Sequence, residues 1–519
     1  MSDFRFEDIE NLACDLPEDI LKRKWHGDFK GANRLIGLWM EKDIPAGLRN
    51  RLILEREILK RLPAEYPYSY KEAFAKLRES VPDMTEEEFC RLQDQGRIDW
   101  IYVDGEERFF NRFVETLLKV NRSIKERADR AYAVGECAAR ECTGEEYAAG
   151  ECTGEEYAAR ECTGGACADG RRASEKCTGE RHTGGVTDKC RPPAVTQEKQ
   201  ALLDVIRQIR EKGEAEYSFR IRASVHIKNE SFQAGPVKVH IPVPAESRQL
   251  RNIRILAASS EEYDQAASDS PQRAVCFQED MRENHEFWVE YSYVNKVDYV
   301  EMKRSEVQPA DPEEFAEDLK EQLPHIRFTP FMHALAKKLT EGLENPLEKA
   351  WSIYDHITTH VEYSFVRSYF TIENLAEYAA VGGKGDCGIQ ALMFITLCRI
   401  AGVPARWQSG LYTTPFSAGC HDWAQVYIAP YGWRYVDCSF GGSAHREGDE
   451  ERRRFYFGNL DPFRMVANSR FQQEFDVQKR FLRADPYDNQ RGEAEYEDRG
   501  LDFEDFTWKA EILACTACS

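Results

Sequence analysis

The stretch from 131 to about 195 constrains this chain most, because it contains no Leu, Ile, Phe, Trp or Met. A segment without those side chains cannot bury enough apolar area to offset its conformational entropy. Within it a unit recurs: Glu141-Cys-Thr-Gly-Glu-Glu-Tyr-Ala-Ala-Gly, then Glu151-Cys-Thr-Gly-Glu-Glu-Tyr-Ala-Ala-Arg, then Glu161-Cys-Thr-Gly. The expectation is a disordered, repeat-expanded linker at 131–195, with folded structure on either side of it. Cys137, Cys142, Cys152, Cys162, Cys167, Cys177 and Cys190 lie in this stretch. They lack paired C-x-x-C spacing and have only His182 beside them, so no metal site is expected.

Outside the linker there is material for real cores: 42% of the 519 residues are hydrophobic and 12% aromatic. A length of this kind suggests three or four folded units. The formal charge of −21 argues against a nucleic-acid partner and against docking to anionic lipid. The acidic opening, Met1-Ser-Asp-Phe-Arg-Phe-Glu-Asp, does not have the basic-then-apolar pattern of a secretory signal. No apolar run is long enough to span a membrane. A cytoplasmic protein is therefore expected, its 16 cysteines mostly reduced.

Periodicity divides the rest. Residues 1–130 carry apolar side chains at helical spacing, as in Leu48, Leu52, Ile58, Leu59 and Leu62, and predict a helical module. Residues 196–312 begin with a helix over Gln200 to Lys212 and continue in strict alternation, as in Phe219, Ile221, Ala223 and Val225. That pattern predicts a β-sandwich or partial barrel. In 313–480, Thr329-Pro330 and Asn345-Pro346 mark helix starts. Residues 481–519 are acidic. Between 485 and 505 nine carboxylates stand against Arg491 and Arg499, the composition of a solvated loop, with a lid over a groove or the binding of a basic partner as the alternatives.

Chemistry concentrates between 382 and 440. Gly382-Gly383-Lys384-Gly385-Asp386-Cys387-Gly388 leads into an apolar helix that stops at Gly402. Cys387 falls in the first turn, where free N–H groups and the helix dipole favour a thiolate and can hold an oxyanion. Asp386 suits the N-cap. Next come His421-Asp-Trp-Ala-Gln-Val-Tyr-Ile428 and Trp433-Arg-Tyr-Val-Asp437 around a Pro/Gly turn, which read as a β-hairpin. His421 and Asp437 sit at the same end of it as candidate base and orienter. A symmetric register leaves them about three residues apart, so a bulge or unequal strand lengths are expected. Asp422 is read as an exposed strand residue, and Cys398, Cys420 and Cys438 as structural thiols.

Gly385-x-Cys387 with Ala391, Gly402-Val-Pro-Ala-Arg406, His421-x-Trp423 and Gly432-Trp433-x-x-x-Asp437 together resemble the transglutaminase-like superfamily over about 313–480. The His-to-Asp spacing is similar to that of its bacterial members. The resemblance implies an α+β, papain-like core: a helix-borne Cys387 packed on an antiparallel sheet carrying His421 and Asp437. It implies acyl transfer from a protein or peptide carboxamide, through a thioester on Cys387, to an amine or to water, without a cofactor. Cys438-Ser439 stands where the family usually has Pro-Thr. Trp423 and Trp433 are candidates for shaping the acyl-binding groove. Two other readings compete: a cysteine peptidase or amidohydrolase using the same residues, and a non-catalytic protein-interaction scaffold.

Overall fold

The computed structural model describes residues 6–143 and 196–518. Most of the predicted linker thus lies outside the described residues. Its opening positions belong to the helix Arg122–Thr143, so the helical run extends past the expected boundary at 130.

Helices dominate the N-terminal module, but it also holds a three-stranded antiparallel sheet of Tyr68–Ser69, Glu106–Phe109 and Trp100–Val103. Asp104-Gly105 makes its hairpin turn, both residues at positive φ (52° and 84°), the dipeptide favoured by two-residue hairpins.

Two four-stranded antiparallel sheets form the expected sandwich. One runs Phe506–Ala517, Glu214–Ile227, Glu286–Asp298, Leu250–Ala258; the other runs Glu493–Tyr496, Gly235–Pro242, Ala274–Met281, Asp264–Gln265. Ile221, Ala223 and Val225 meet Val239, Ile241, Val289 and Tyr291 in a shared apolar core. The acidic C-terminal stretch therefore supplies one strand to each sheet, and it is not the solvated segment its composition suggested. Its carboxylates find donors inside the protein. Glu493 accepts from Lys479 Nζ and from the N–H groups of Ala484 and Asp485, each at 2.8 Å. Glu495 accepts from the N–H groups of Arg480 (3.0 Å) and Phe481 (3.1 Å). Buried carboxylates satisfied this way are tolerated where isolated ones are not.

The third sheet, also antiparallel, has five strands in the order Phe457–Gly458, Gly432–Val436, Ala418–Ile428, Ala405–Thr413, Arg464–Asn468. Because side chains alternate along a strand, its two faces are distinct. Ala424, Val426 and Ile428 join an apolar core with helices Pro346–His360 and Cys387–Ile400. Trp423 and Tyr435 join the sandwich core instead.

The helix Cys387–Ile400 is set by its ends. Asp386 accepts from the Ile389 N–H at 3.1 Å. Gly402 at φ 78° lets the Val403 N–H return to the Cys398 carbonyl at 2.8 Å, a left-handed cap. All residues from Gly388 to Arg399 are buried, and truncating one such as Leu392 would cost about 2–5 kcal/mol.

Candidate active site

Cys387 is half-buried on a cleft of about 630 Å³. The N-terminal module contributes Arg61, Glu65 and Arg112 to its wall, and the C-terminal stretch contributes Asp488 and Gln490. The module is tied to the core beside the cleft: Glu65 accepts from the Ser368 N–H at 2.8 Å, and Thr116 Oγ1 accepts from the Phe365 N–H at 3.2 Å.

The thiol of Cys387 donates to Asp422 Oδ2 at 3.2 Å. Asp422 is buried, which overturns its reading as an exposed strand residue. It shares the strand face of Ala424, Val426 and Ile428, against which the Cys387 helix packs. That alternation is present in the sequence and could have marked Asp422 as inward-facing. The helix start can approach the strand because residue 388 is glycine. A Cβ there would lie 2.2 Å from Tyr369 Oη and 2.8 Å from Asp422 Oδ2. Tyr369 Oη donates to Asp386 at 2.6 Å.

His421 and Asp437 do meet, with His421 Nε2 donating to Asp437 Oδ2 at 2.7 Å. No bulge is needed within the hairpin. Ile428 pairs with Gly432 and Ala424 with Val436, one residue off the expected register, so Asp437 lies diagonally from His421 on the same face. That face is the one away from the Cys387 helix. Trp423 stacks with His421 there, and Phe440 lies against it with ring centroids 4.9 Å apart. Arg464 Nη2 reaches Asp437 Oδ2 at 3.0 Å, both fully buried. Among the described residues no hydrogen bond joins Cys387 to His421, and His421 does not line the cleft. The arrangement expected from the sequence is thus split: the His–Asp pair is formed, and Cys387 is joined to Asp422 instead.

Neither candidate tryptophan lines the cleft. Trp423 is wholly buried, its indole N–H donating to Gln408 Oε1 at 2.9 Å. Trp433 packs on Phe315 and Tyr427, with the Arg406 guanidinium 4.0 Å over its ring. Cys420, expected to be structural, lines the cleft, whereas Cys398 and Cys438 are buried.

The electrostatics follow from burial. Burial, then the Asp422 and Asp386 carboxylates, push the Cys387 thiol well above its usual range. The helix dipole, worth about 0.3–1 kcal/mol, does not offset them, so the resting group is a thiol and not the expected thiolate. Burial raises Asp386 to about 6 despite the donations from Tyr369 and Ile389. Asp422 is raised by burial and by its neighbours Asp488 and Asp386. On the opposite face, burial lowers His421 against the pull of Asp437. Burial raises Asp437, but His421, Arg464 and the Phe440 N–H outweigh it and hold the carboxyl below its ordinary value. His421 is therefore a neutral donor, and the ion pair there is Asp437 with Arg464.

Residues 333–438 match the transglutaminase-like superfamily. This segment is a transglutaminase-like core. It spans the Cys387 helix, the hairpin and both candidate pairs. No curated protein matches the chain. Among solved structures, a candidate cysteine protease from Cytophaga hutchinsonii aligns over 58% of this chain and 91% of its own, at 16% identity and a TM-score of 0.37. The periplasmic domain of TgpA from Pseudomonas aeruginosa aligns over 48% of this chain and 96% of its own, at 13% identity and a TM-score of 0.27. Among the described residues of the transglutaminase-like core and its surroundings, no helix is long and apolar enough to cross a membrane, and no group of metal-ligating side chains comes together.

Proposed function

We propose that the transglutaminase-like core performs cysteine-dependent acyl chemistry on a protein or peptide carboxamide, with Cys387 as nucleophile. The observation that carries this reading is the Cys387 thiol on the cleft, at the first turn of a buried helix, donating to Asp422 at 3.2 Å. In this geometry Asp422 takes the thiol proton as Sγ attacks the carbonyl carbon. The Ile389 N–H is used by the Asp386 side chain and the Gln390 N–H by the Asp386 carbonyl. Those of Cys387 and Gly388 remain for the oxyanion. Collapse of the adduct breaks the C–N bond, the proton on Asp422 passes to the departing amine, and a thioester stays on Cys387. An amine acceptor completes a transfer, and water completes a hydrolysis.

A second reading, a protein-binding scaffold without turnover, is favoured by the placement of His421 on the far face. Incubation with glutamine-containing peptides, with and without an added amine, separates the two by mass spectrometry. Mass gain of the amine, loss of ammonia, or chain cleavage each supports the enzyme and names its acceptor. If Cys387 alkylates with iodoacetamide no faster than a cysteine of the unfolded chain and no thioester is trapped, the scaffold reading stands. Cys387→Ala is the control and should fold normally, since alanine suits a first helical turn.

A further inference from the structure

The stretch 485–490 does more than border the cleft: it reaches the group that holds the thiol. Gln490 Nε2 donates to Asp422 Oδ1 at 2.6 Å and to the His421 carbonyl at 3.0 Å. Asp488, buried, lies within hydrogen-bonding reach of Asp422 and accepts from Ser409 Oγ at 2.5 Å. Asn468 Nδ2 in turn donates to Ser409 Oγ at 3.0 Å. The Asp488 N–H goes to Asp485 Oδ1 at 3.2 Å. Both oxygens of Asp422 are thus engaged, one by the thiol and one by Gln490, while a second carboxyl is fixed beside it from a different part of the chain.

We infer that Asp488 is a positioning residue for Cys387: it shares one proton with Asp422 and thereby sets the pH at which Asp422 is free to take the thiol proton. This rests on the reading of Asp422 as the proton acceptor. Two buried carboxyls in contact do not both ionise, so the pair holds one proton and one charge over a broad range. When that proton sits on Asp488, Asp422 is an acceptor. Moving the thiol proton onto Asp422 then relocates the single negative charge from carboxylate to sulfur, and no second charge builds up in the buried site.

The groups facing the pair agree with this. Asp386 and Cys387 face it from the helix start, Cys420 from the same strand, and Asp485 with the cations Arg483 and Arg491 from the C-terminal stretch. Burial, then Asp485, lift Asp488 to about 7, against donation from Ser409. Below that range both carboxyls are protonated and the thiol has no base. Above it the pair carries one charge, and Asp422 accepts when the remaining proton is on Asp488.

The test is the rate of Cys387 alkylation by iodoacetamide against pH, read by peptide mass spectrometry on the full chain, which needs no substrate. In the native protein the rate should fall off on the acid side as the pair takes its second proton. Asp488→Asn removes the carboxyl that shares the proton and steadies the single charge, so this acid limb should move up by roughly one pH unit or more. Ser409→Ala removes a donor to Asp488 that also steadies this charge, and should move the limb the same way by less. Asp422→Asn should abolish the limb. If Asp488→Asn and Ser409→Ala leave it unmoved while Asp422→Asn abolishes it, the inference falls and Asp422 acts alone. If Asp422→Asn also leaves it unmoved, the proton-acceptor reading falls as well.

Discussion

Gln490 donates its amide to Asp422 at 2.6 Å across 68 residues of sequence. The carboxyl that holds the Cys387 thiol is therefore itself held by a segment outside the matched 333–438 core. The cleft is assembled from three parts of the chain, and each can be tested separately.

Asp422→Asn should slow Cys387 alkylation and any acyl-enzyme formation by about tenfold or more, and His421→Ala should do so to a smaller degree. His421 touches Asp437 and aromatic rings and has no hydrogen bond to the thiol. Its loss should appear mainly as a lower melting temperature. A reversal, with His421→Ala the more damaging to reactivity, would mean that His421 serves the thiol.

Gly388→Ala places a methyl 2.2 Å from Tyr369 Oη and 2.8 Å from Asp422 Oδ2. Overpacking of this kind costs about 1–3 kcal/mol. Thermal unfolding should show the loss, and alkylation of Cys387 should change with it because the Cys387–Asp422 contact must open. An unchanged melting temperature would show that the helix start and the strand are not so closely apposed.

Glu493→Ala removes the partner of Lys479 and of two backbone N–H groups, at a position where both ionic side chains are 1% exposed. Leaving a buried cation unpaired should cost about 3 kcal/mol or more, seen in urea unfolding. Asp488 and Gln490 precede this strand by a few residues, so Cys387 alkylation should shift as well.

Burial raises Asp485 to about 6. A carboxyl whose folded pKa lies above its unfolded value contributes stability below the unfolded pKa, and that contribution is lost as pH rises through the folded one. Asp485→Asn keeps an acceptor for the Tyr487 N–H (2.9 Å in the native chain) while removing the charge. Its melting temperature relative to the native protein should therefore rise between pH 4 and pH 8. A difference independent of pH would place Asp485 in a solvated setting.

Local signals in the sequence carried much of this structure. The Thr329-Pro330 and Asn345-Pro346 starts both appear as helix caps. Asp386 and Gly402 bound the nucleophile helix, and the alternating runs became sandwich strands. Two features were not legible, for different reasons. The hairpin register turns on whether Gly432 belongs to the turn or to the strand, and one residue decides which face Asp437 occupies. The strands Glu493–Tyr496 and Phe506–Ala517 hide in an acidic stretch because their carboxylates are matched by N–H groups and cations from distant segments. Composition reports the charge and not the donors that meet it. Asp422 was legible in principle, in phase with Ala424 and Val426, but an aspartate on a strand suggests solvent until something is known to need it.

Because each sandwich sheet takes a strand from beyond residue 490, the order of synthesis bears on when the protein works. Every residue of the helix, the hairpin and the N-terminal wall leaves the ribosome before the strand Phe506–Ala517, which closes the edge at Glu214–Ile227. A nascent chain halted near residue 484 would carry its thiol without Asp488 or Gln490 and would bare two unpaired strand edges. Such edges recruit other chains. Stalled chains should alkylate at Cys387 as free thiols do and should be captured by chaperones, and extension past residue 517 should end both. Reactivity is then withheld until the strands beyond residue 490 are in place.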